Sequence, residues 1–198
     1  MNPEVILASH NLGKFQEFRD LLATAPFAIK LYPSDQEIVE ETGGSYADNA
    51  RLKAHYVAGV TKKLALADDS GIEVDALDGR PGVHSARFVS SEPWENSREI
   101  LLRLIAVPRS ERGARMRAVL CLACPDGREI LAEGVVEGSI LGWPRGQFGF
   151  GVDPVFSVDG KTSLAEWKAS EKNQISHRAR AVSHLLARIA QESLLNKA

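Results

Sequence analysis

Apolar and polar positions alternate along the chain in short runs. Glu4-Val5-Ile6-Leu7-Ala8-Ser9 is an apolar run that reads as a buried strand. Phe15, Phe18, Leu21 and Leu22 then recur at helical spacing, with Ser9 or Asn11 capping the entry. Ala28 to Tyr32 reads as a second strand. Thr42-Gly43-Gly44-Ser45 is a turn, and Tyr46, Ala50, Ala54, Val57 and Ala58 trace one face of a helix capped by Ser45. Leu64 to Ala67 predicts a strand running into an acidic turn, Asp68-Asp69-Ser70-Gly71. Gly79-Arg80-Pro81-Gly82 is a turn, and Leu101, Leu104 and Ile105 mark an amphipathic helix. Arg115 to Cys124 and Glu129 to Glu137 flank Pro125-Asp126-Gly127-Arg128 as a hairpin. Gly138 to Asp153 reads as an irregular functional loop, and Val182, Leu185, Leu186 and Ile189 line a last helix. Early alternation of strands and helices, with antiparallel strands in the middle, predicts an α/β fold with a mixed sheet.

Composition narrows the class. The 198 residues are 44% hydrophobic and 25% charged, which excludes a disordered or fibrous chain. The length suits one domain over 1–198, with room for two lobes around a cleft. Lys and Arg number 24 against 26 Asp and Glu, so no global field marks a nucleic-acid or membrane binder. The longest purely apolar run, Ala118 to Cys124, is far shorter than the roughly 18 residues of a membrane span. Met1-Asn2-Pro3-Glu4 lacks the features of a signal peptide, so the expectation is a soluble cytoplasmic protein. Cys121 and Cys124 fall at an odd offset on a strand, and no second Cys pair or Cys/His cluster completes a zinc site. They read as core cysteines.

Four segments carry candidate chemistry. Ser9-His10-Asn11-Leu12-Gly13-Lys14 lies where a strand meets a helix; free N–H groups, the helix dipole and Lys14 favour an anion there. Asp68 and Asp69 repel each other unless a counter-ion is present, and paired carboxylates suit Mg²⁺, with Glu40 or Glu41 as a further ligand. Gly146-Gln147-Phe148-Gly149-Phe150-Gly151-Val152-Asp153-Pro154 sets aromatics among glycines, as a platform for a planar ligand does. Glu171-Lys172-Asn173-Gln174-Ile175-Ser176-His177-Arg178 puts cations near a helix N-terminus, where they require an anionic or carbonyl-rich partner. Together these suit a nucleoside triphosphate handled with Mg²⁺.

The same segments carry ordered strings: Ser9-x-Asn11-x-x-Lys14, Glu40-Glu41-Thr42-Gly43, Asn49-Ala50-x-x-Lys53-Ala54, Ala67-Asp68-Asp69-Ser70-Gly71, Pro81-Gly82-x-x-Ser85-Ala86-Arg87, Gly149-Phe150-Gly151-x-Asp153-Pro154-x-Phe156 and Ile175-Ser176-His177-Arg178. In these the chain resembles the Ham1 family of inosine/xanthosine triphosphate pyrophosphatases, from Val5 to about Leu186. The resemblance implies an elongated α/β fold with a central nucleotide-binding cleft, a homodimer, and Mg²⁺-dependent hydrolysis of dITP, ITP and XTP to monophosphate and pyrophosphate. It implies that Ser9, His10, Asn11, Leu12, Gly13 and Lys14 bind the triphosphate. Asp69 is then the general base and a metal ligand, with Glu40 or Glu41 assisting, and Ser70 contacts substrate. Phe150, with Gly151 and Val152, meets the purine; Asp153, Lys172, His177 and Arg178 read its edge. Two departures stand out: Val152 replaces the usual aromatic residue, and His10 replaces a small one. The competing readings are a phosphatase that removes only the terminal phosphate and a nucleotide sensor without catalysis.

Overall fold

The computed structural model describes residues 3–192. Met1 and Asn2, part of the opening read against a signal peptide, lie outside them. Strands β1 (Glu4–Leu7), β2 (Ala28–Leu31), β3 (Leu64–Val74), β4 (Gly113–Ala123), β5 (Glu129–Ile140) and β6 (Phe156–Ser157) hydrogen-bond in the order β2-β1-β3-β4-β5-β6. Helices α1 (Leu12–Leu21), α2 (Tyr46–Thr61), α3 (Pro93–Arg103), α4 (Ala169–Lys172) and α5 (His177–Glu192) complete an α/β fold with a mixed sheet. β1 runs parallel to both β2 and β3, pairing Val5 with Ile29 and with Leu64, whereas β5 and β6 are antiparallel.

The chain forms two compact units. Unit 1 takes the residues up to Asp69, Ala118–Gly134 and the chain from Arg178; unit 2 takes Ser70–Arg117 and Val135–His177. Unit 1 is built on Val5, Leu7, Leu64, Leu66, Leu120, Leu122, Phe18 and Leu185, all buried. β1 has strands on both sides, so Val5, Ile6 and Leu7 are apolar without alternation. Unit 2 has its own apolar core of Ile72, Val74, Ile100, Leu104, Met116, Val136, Phe156 and Leu164. Among the described residues no helix is long and apolar enough to cross a membrane.

Three sequence expectations change. The acidic turn at Asp68-Asp69 does not exist: β3 continues straight through to Val74. Ile72 and Val74 are buried beyond it, and Asp68 and Asp69 find polar partners, so nothing forces the strand to stop. The irregular stretch starts later than Gly138, because β5 runs to Ile140. Gly138 itself serves the sheet: a Cβ there would meet the Ser157 carbonyl at 2.2 Å, so only glycine lets β6 approach. The helix marked by Leu101 and Leu104 ends at Arg103 with Leu104 as its cap, and Ile105 lies outside it, 78% exposed. Other boundaries agree with the hydrophobic pattern, including the hairpin closed by the Cys124 N–H bond to the Arg128 carbonyl at 2.8 Å.

Candidate active site

The β1–α1 junction fixes the first group. Asn11 is the N-cap of α1, its side chain accepting from the Lys14 N–H at 3.0 Å, while the Asn11 N–H donates to Ser9 Oγ at 3.1 Å. Local hydrogen bonds thus shape Ser9 to Lys14, and the first turn of α1 contains no acidic side chain to occupy its N–H end. Lys14 reaches from that turn to β3, with Nζ 2.7 Å from Asp68 Oδ2. His10 stacks on Tyr32, ring centroids 6.1 Å apart, and its Nε2 lies 3.1 Å from the Pro33 carbonyl.

Arg178, in the first turn of α5, donates from Nη1 to Glu17 Oε2 at 3.0 Å and from Nε to Asp68 Oδ2 at 3.4 Å. Asp68 is therefore shared by Lys14 and Arg178. Burial would raise its carboxyl, but Lys14 and Arg178, helped by Lys53, hold it well below the usual carboxylate range. Lys14 is lowered from its ordinary value, chiefly by burial, although Asp68 opposes this.

Asp69 lies one residue on, on the opposite side of the strand. Asn49 of α2 donates from Nδ2 to Asp69 Oδ2 at 3.0 Å and accepts from the Gly43 N–H at 2.7 Å. Lys53, one turn later, donates to the Asp68 carbonyl at 2.7 Å and to Glu41, and stands 4.0 Å from Asp69 Oδ1. Burial raises the Asp69 carboxyl and Glu41 adds to this, while Lys53 and Asn49 oppose it. Of the two candidate glutamates, Glu41 turns toward Lys53 and Glu40 is exposed.

These residues suit a divalent cation. Glu41 and Asp69 are hard oxygen donors, and an ammonium already stands against both. Among the described residues, Glu17, Glu41, Asp68 and Asp69 stand against Lys14, Lys53 and Arg178 in this largely buried group. Carboxylates gathered this closely favour a further positive charge beside them.

A second group lies within unit 2. Asp153 is buried, and its Oδ2 accepts from Lys172 Nζ at 2.7 Å and from the Phe150 N–H at 2.9 Å. Lys172 Nζ stands 5.1 Å from the Phe150 ring centroid. Gly149 has φ +73°, and a Cβ there would strike Asp153 Oδ2 at 2.1 Å, so glycine is required for the loop to wrap its own carboxylate. Gly151 accepts from Ser97 Oγ at 3.0 Å, and Val152 packs against the unit 2 core. Ser70 follows Asp69 on β3, and His177 is buried at the start of α5.

The structure thus joins Lys14, Asp68, Arg178, Asp69 and Glu41 in unit 1, and Phe150, Asp153 and Lys172 in unit 2. It adds three residues to which the sequence reading gave no role: Asn49, Lys53 and Glu17. Their signal was available. Asn49 and Lys53 are four apart on the apolar face of α2, and Glu17 sits beside Phe18 on the buried side of α1.

The profile of the Ham1 family matches residues 5–188. The chain belongs to the Ham1 family. It is 47% identical over 186 residues to the dITP/XTP pyrophosphatase of Symbiobacterium thermophilum, covering 93% of this chain and 94% of that one. It is 41% identical over 187 residues to the dITP/XTP pyrophosphatase of Bacillus subtilis, covering 92% and 94%. A HAM1 protein from Coxiella burnetii has the same fold, with a TM-score of 0.83 at 36% identity, covering 96% of this chain and 99% of that one. The segments that hold Lys14, Glu41, Asp69 and Arg178 all fall inside the Ham1 match.

Proposed function

We propose that this Ham1 protein hydrolyses deaminated purine nucleoside triphosphates, dITP, ITP and XTP, to the monophosphate and pyrophosphate. The observation that carries the reading is the meeting of Lys14, Asp68, Asp69, Lys53 and Glu41 in one largely buried charged group within a Ham1 match over residues 5–188.

Each residue then has a task. The N–H groups at the start of α1 and the Lys14 ammonium bind phosphate oxygens. Asp68 and Arg178 fix Lys14, so its charge is positioned before substrate arrives. Asp69, with its carboxyl raised by burial, takes the proton of a water that adds to the α-phosphorus. The bond from that phosphorus to the bridging oxygen breaks, and pyrophosphate leaves with the electron pair. Asn49 holds Asp69 Oδ2, leaving its orientation fixed. Asp69 and Glu41 would hold a divalent cation, Mg²⁺ by its taste for oxygen ligands, which supplies charge neutralisation on the phosphates.

In unit 2, the Phe150 ring and the Lys172 ammonium are assigned to the purine. Lys172 donates, so it suits the 6-oxo group of inosine and xanthosine and not the amino group of adenine. A buried donor left unpaired costs about 1–3 kcal/mol, roughly 5- to 150-fold in selectivity. Asp153 holds Lys172 and the Phe150 backbone and acts as a positioning residue. Arg178 is assigned to Asp68 and the phosphates, since Glu17 and Asp68 already engage its guanidinium. A homodimer completes the reading, which light scattering of the purified chain tests.

The decisive experiment is a nucleotide panel with and without Mg²⁺, reading pyrophosphate and orthophosphate separately. Pyrophosphate from ITP, dITP and XTP well above that from ATP, lost on chelation, is the expected result. Orthophosphate with a diphosphate product overturns the reading in favour of a terminal phosphatase. Tight ITP binding without turnover leaves a sensor.

A further inference from the structure

Cys121 and Cys124 are both buried, as their sequence context predicts; Cys124 packs in the apolar core of unit 1, and Cys121 has a polar neighbour as well. Cys121 on β4 points to Glu129, the first residue of β5, with Sγ 3.8 Å from Oε2. His55 of α2 approaches the same oxygen, Nε2 to Oε2 2.7 Å. One sulfur, one imidazole nitrogen and one carboxylate oxygen therefore lie within 4.8 Å of one another, all inside unit 1. Counting cysteines and histidines along the chain misses this group, because α2 and the hairpin supply its members from 66 and 8 residues away from Cys121.

We propose that Cys121, His55 and Glu129 form a zinc site distinct from the acidic site at Asp69, with its remaining position open to water. The donor set is the first support. Sulfur, imidazole and carboxylate together suit a borderline-soft cation, whereas Mg²⁺ takes hard oxygen donors. The second support is the carboxylate's orientation. Arg51, one turn before His55, donates from Nε to Glu129 Oε1 at 2.7 Å and leaves Oε2 facing the other two donors. A cation outside the ligand shell that orients a ligating carboxylate is the expected supporting contact. The third is access: Cys121 is buried, while His55 and Glu129 are partly exposed, so an ion enters from the solvent side.

The geometry needs only a small adjustment. Zinc bonds of about 2.3 Å to sulfur and about 2.0–2.1 Å to nitrogen span up to roughly 4.4 Å. The His55 ring must turn away from its direct contact with Glu129 to admit the ion, and its exposure permits this. Burial, and after it the Glu129 carboxylate, pushes the Cys121 thiol up to about 12, so the metal-free thiol keeps its proton. Binding forms the zinc–sulfur bond and releases that proton to solvent. The bound ion would tie α2, which carries Asn49 and Lys53, to the β4–β5 hairpin.

The test uses the full chain, stripped with a chelator and titrated with Co²⁺ and then Zn²⁺. One equivalent of Co²⁺ should produce a thiolate-to-cobalt charge-transfer band with intense tetrahedral visible bands, and Zn²⁺ should bleach both. Cobalt at an oxygen site such as Asp69 gives no thiolate band, so the two sites are separable. Cys121→Ser and His55→Ala should each remove the band and weaken Zn²⁺ binding about tenfold or more. His55→Ala changes a partly exposed helix position, so it remains informative if Cys121→Ser fails to fold. Zn²⁺ should also raise the melting temperature of the wild type by more than that of His55→Ala. Absence of a thiolate band, its survival in Cys121→Ser, or unchanged Zn²⁺ affinity in His55→Ala overturns the proposal and leaves an ion-pair cluster around Glu129.

Discussion

Asp68 and Asp69 are neighbours in sequence, yet strand geometry gives them opposite partners. Asp68 meets Lys14 and Arg178; Asp69 meets Asn49 and the Lys53–Glu41 pair. One is held ionised far into acid, and the other has its carboxyl raised from its ordinary value by burial. Asp69→Asn keeps the Asn49 contact in form but removes the base, so kcat on ITP should fall by about 10²–10⁴-fold. Activity within a few-fold of wild type, with the melting temperature unchanged, would take that role away from Asp69. Lys14 has its ammonium lowered below 10.5, so its charge is lost earlier on the alkaline side than an ordinary lysine's. Activity that needs this charge should fall with rising pH below that value. Lys14→Arg keeps the charge, and its alkaline limb should move upward. A limb that stays in place assigns the loss to another group.

At the scale of elements, short polar contacts fix where the helices begin. Asn11 caps α1 and Ser45 caps α2, which fixes the starts of the two helices that carry Lys14 and Asn49. Asn11→Ala should cost about 0.5–2 kcal/mol in urea unfolding and raise KM for ITP, because the same cap shapes the turn proposed to bind phosphate. A stability loss with KM unmoved would separate the cap from the site. The periodicity of Phe15, Phe18 and Leu22 made α1 legible, and the alternating burial of β5 did the same for the hairpin. β3 was legible only to Ala67. Local chemistry reads Asp-Asp-Ser-Gly as a turn, and the partners that keep it extended come from α1, α2 and α5.

For the whole molecule, buried charge links stability to pH. Asp68 has a folded-state carboxyl below its ordinary 3.8. Its contribution is fully present above that value and is lost as pH falls through the lowered one. The wild type should therefore lose stability progressively below about pH 4. Asp68→Asn should be less stable at neutral pH, since breaking a buried pair costs about 3–5 kcal/mol. It should also show a shallower decline in acid. Melting curves from pH 7 to pH 3 check both, and an equally steep decline in the variant would move the acid sensitivity to other carboxylates.

Read alone, the sequence determined the α/β class, the hairpin, the cap residues and the candidate segments. Those depend on local spacing and local hydrogen bonding. It also held the Ham1 strings, which include Lys14, Asp69 and Phe150. The tertiary structure decided which polar groups meet: Lys53 between Glu41 and Asp69, Arg178 on Asp68 with Glu17, and Glu129 between His55 and Cys121. Such pairings follow from how distant elements pack. Nothing in a residue's immediate neighbours along the chain fixes the charge it will face after folding.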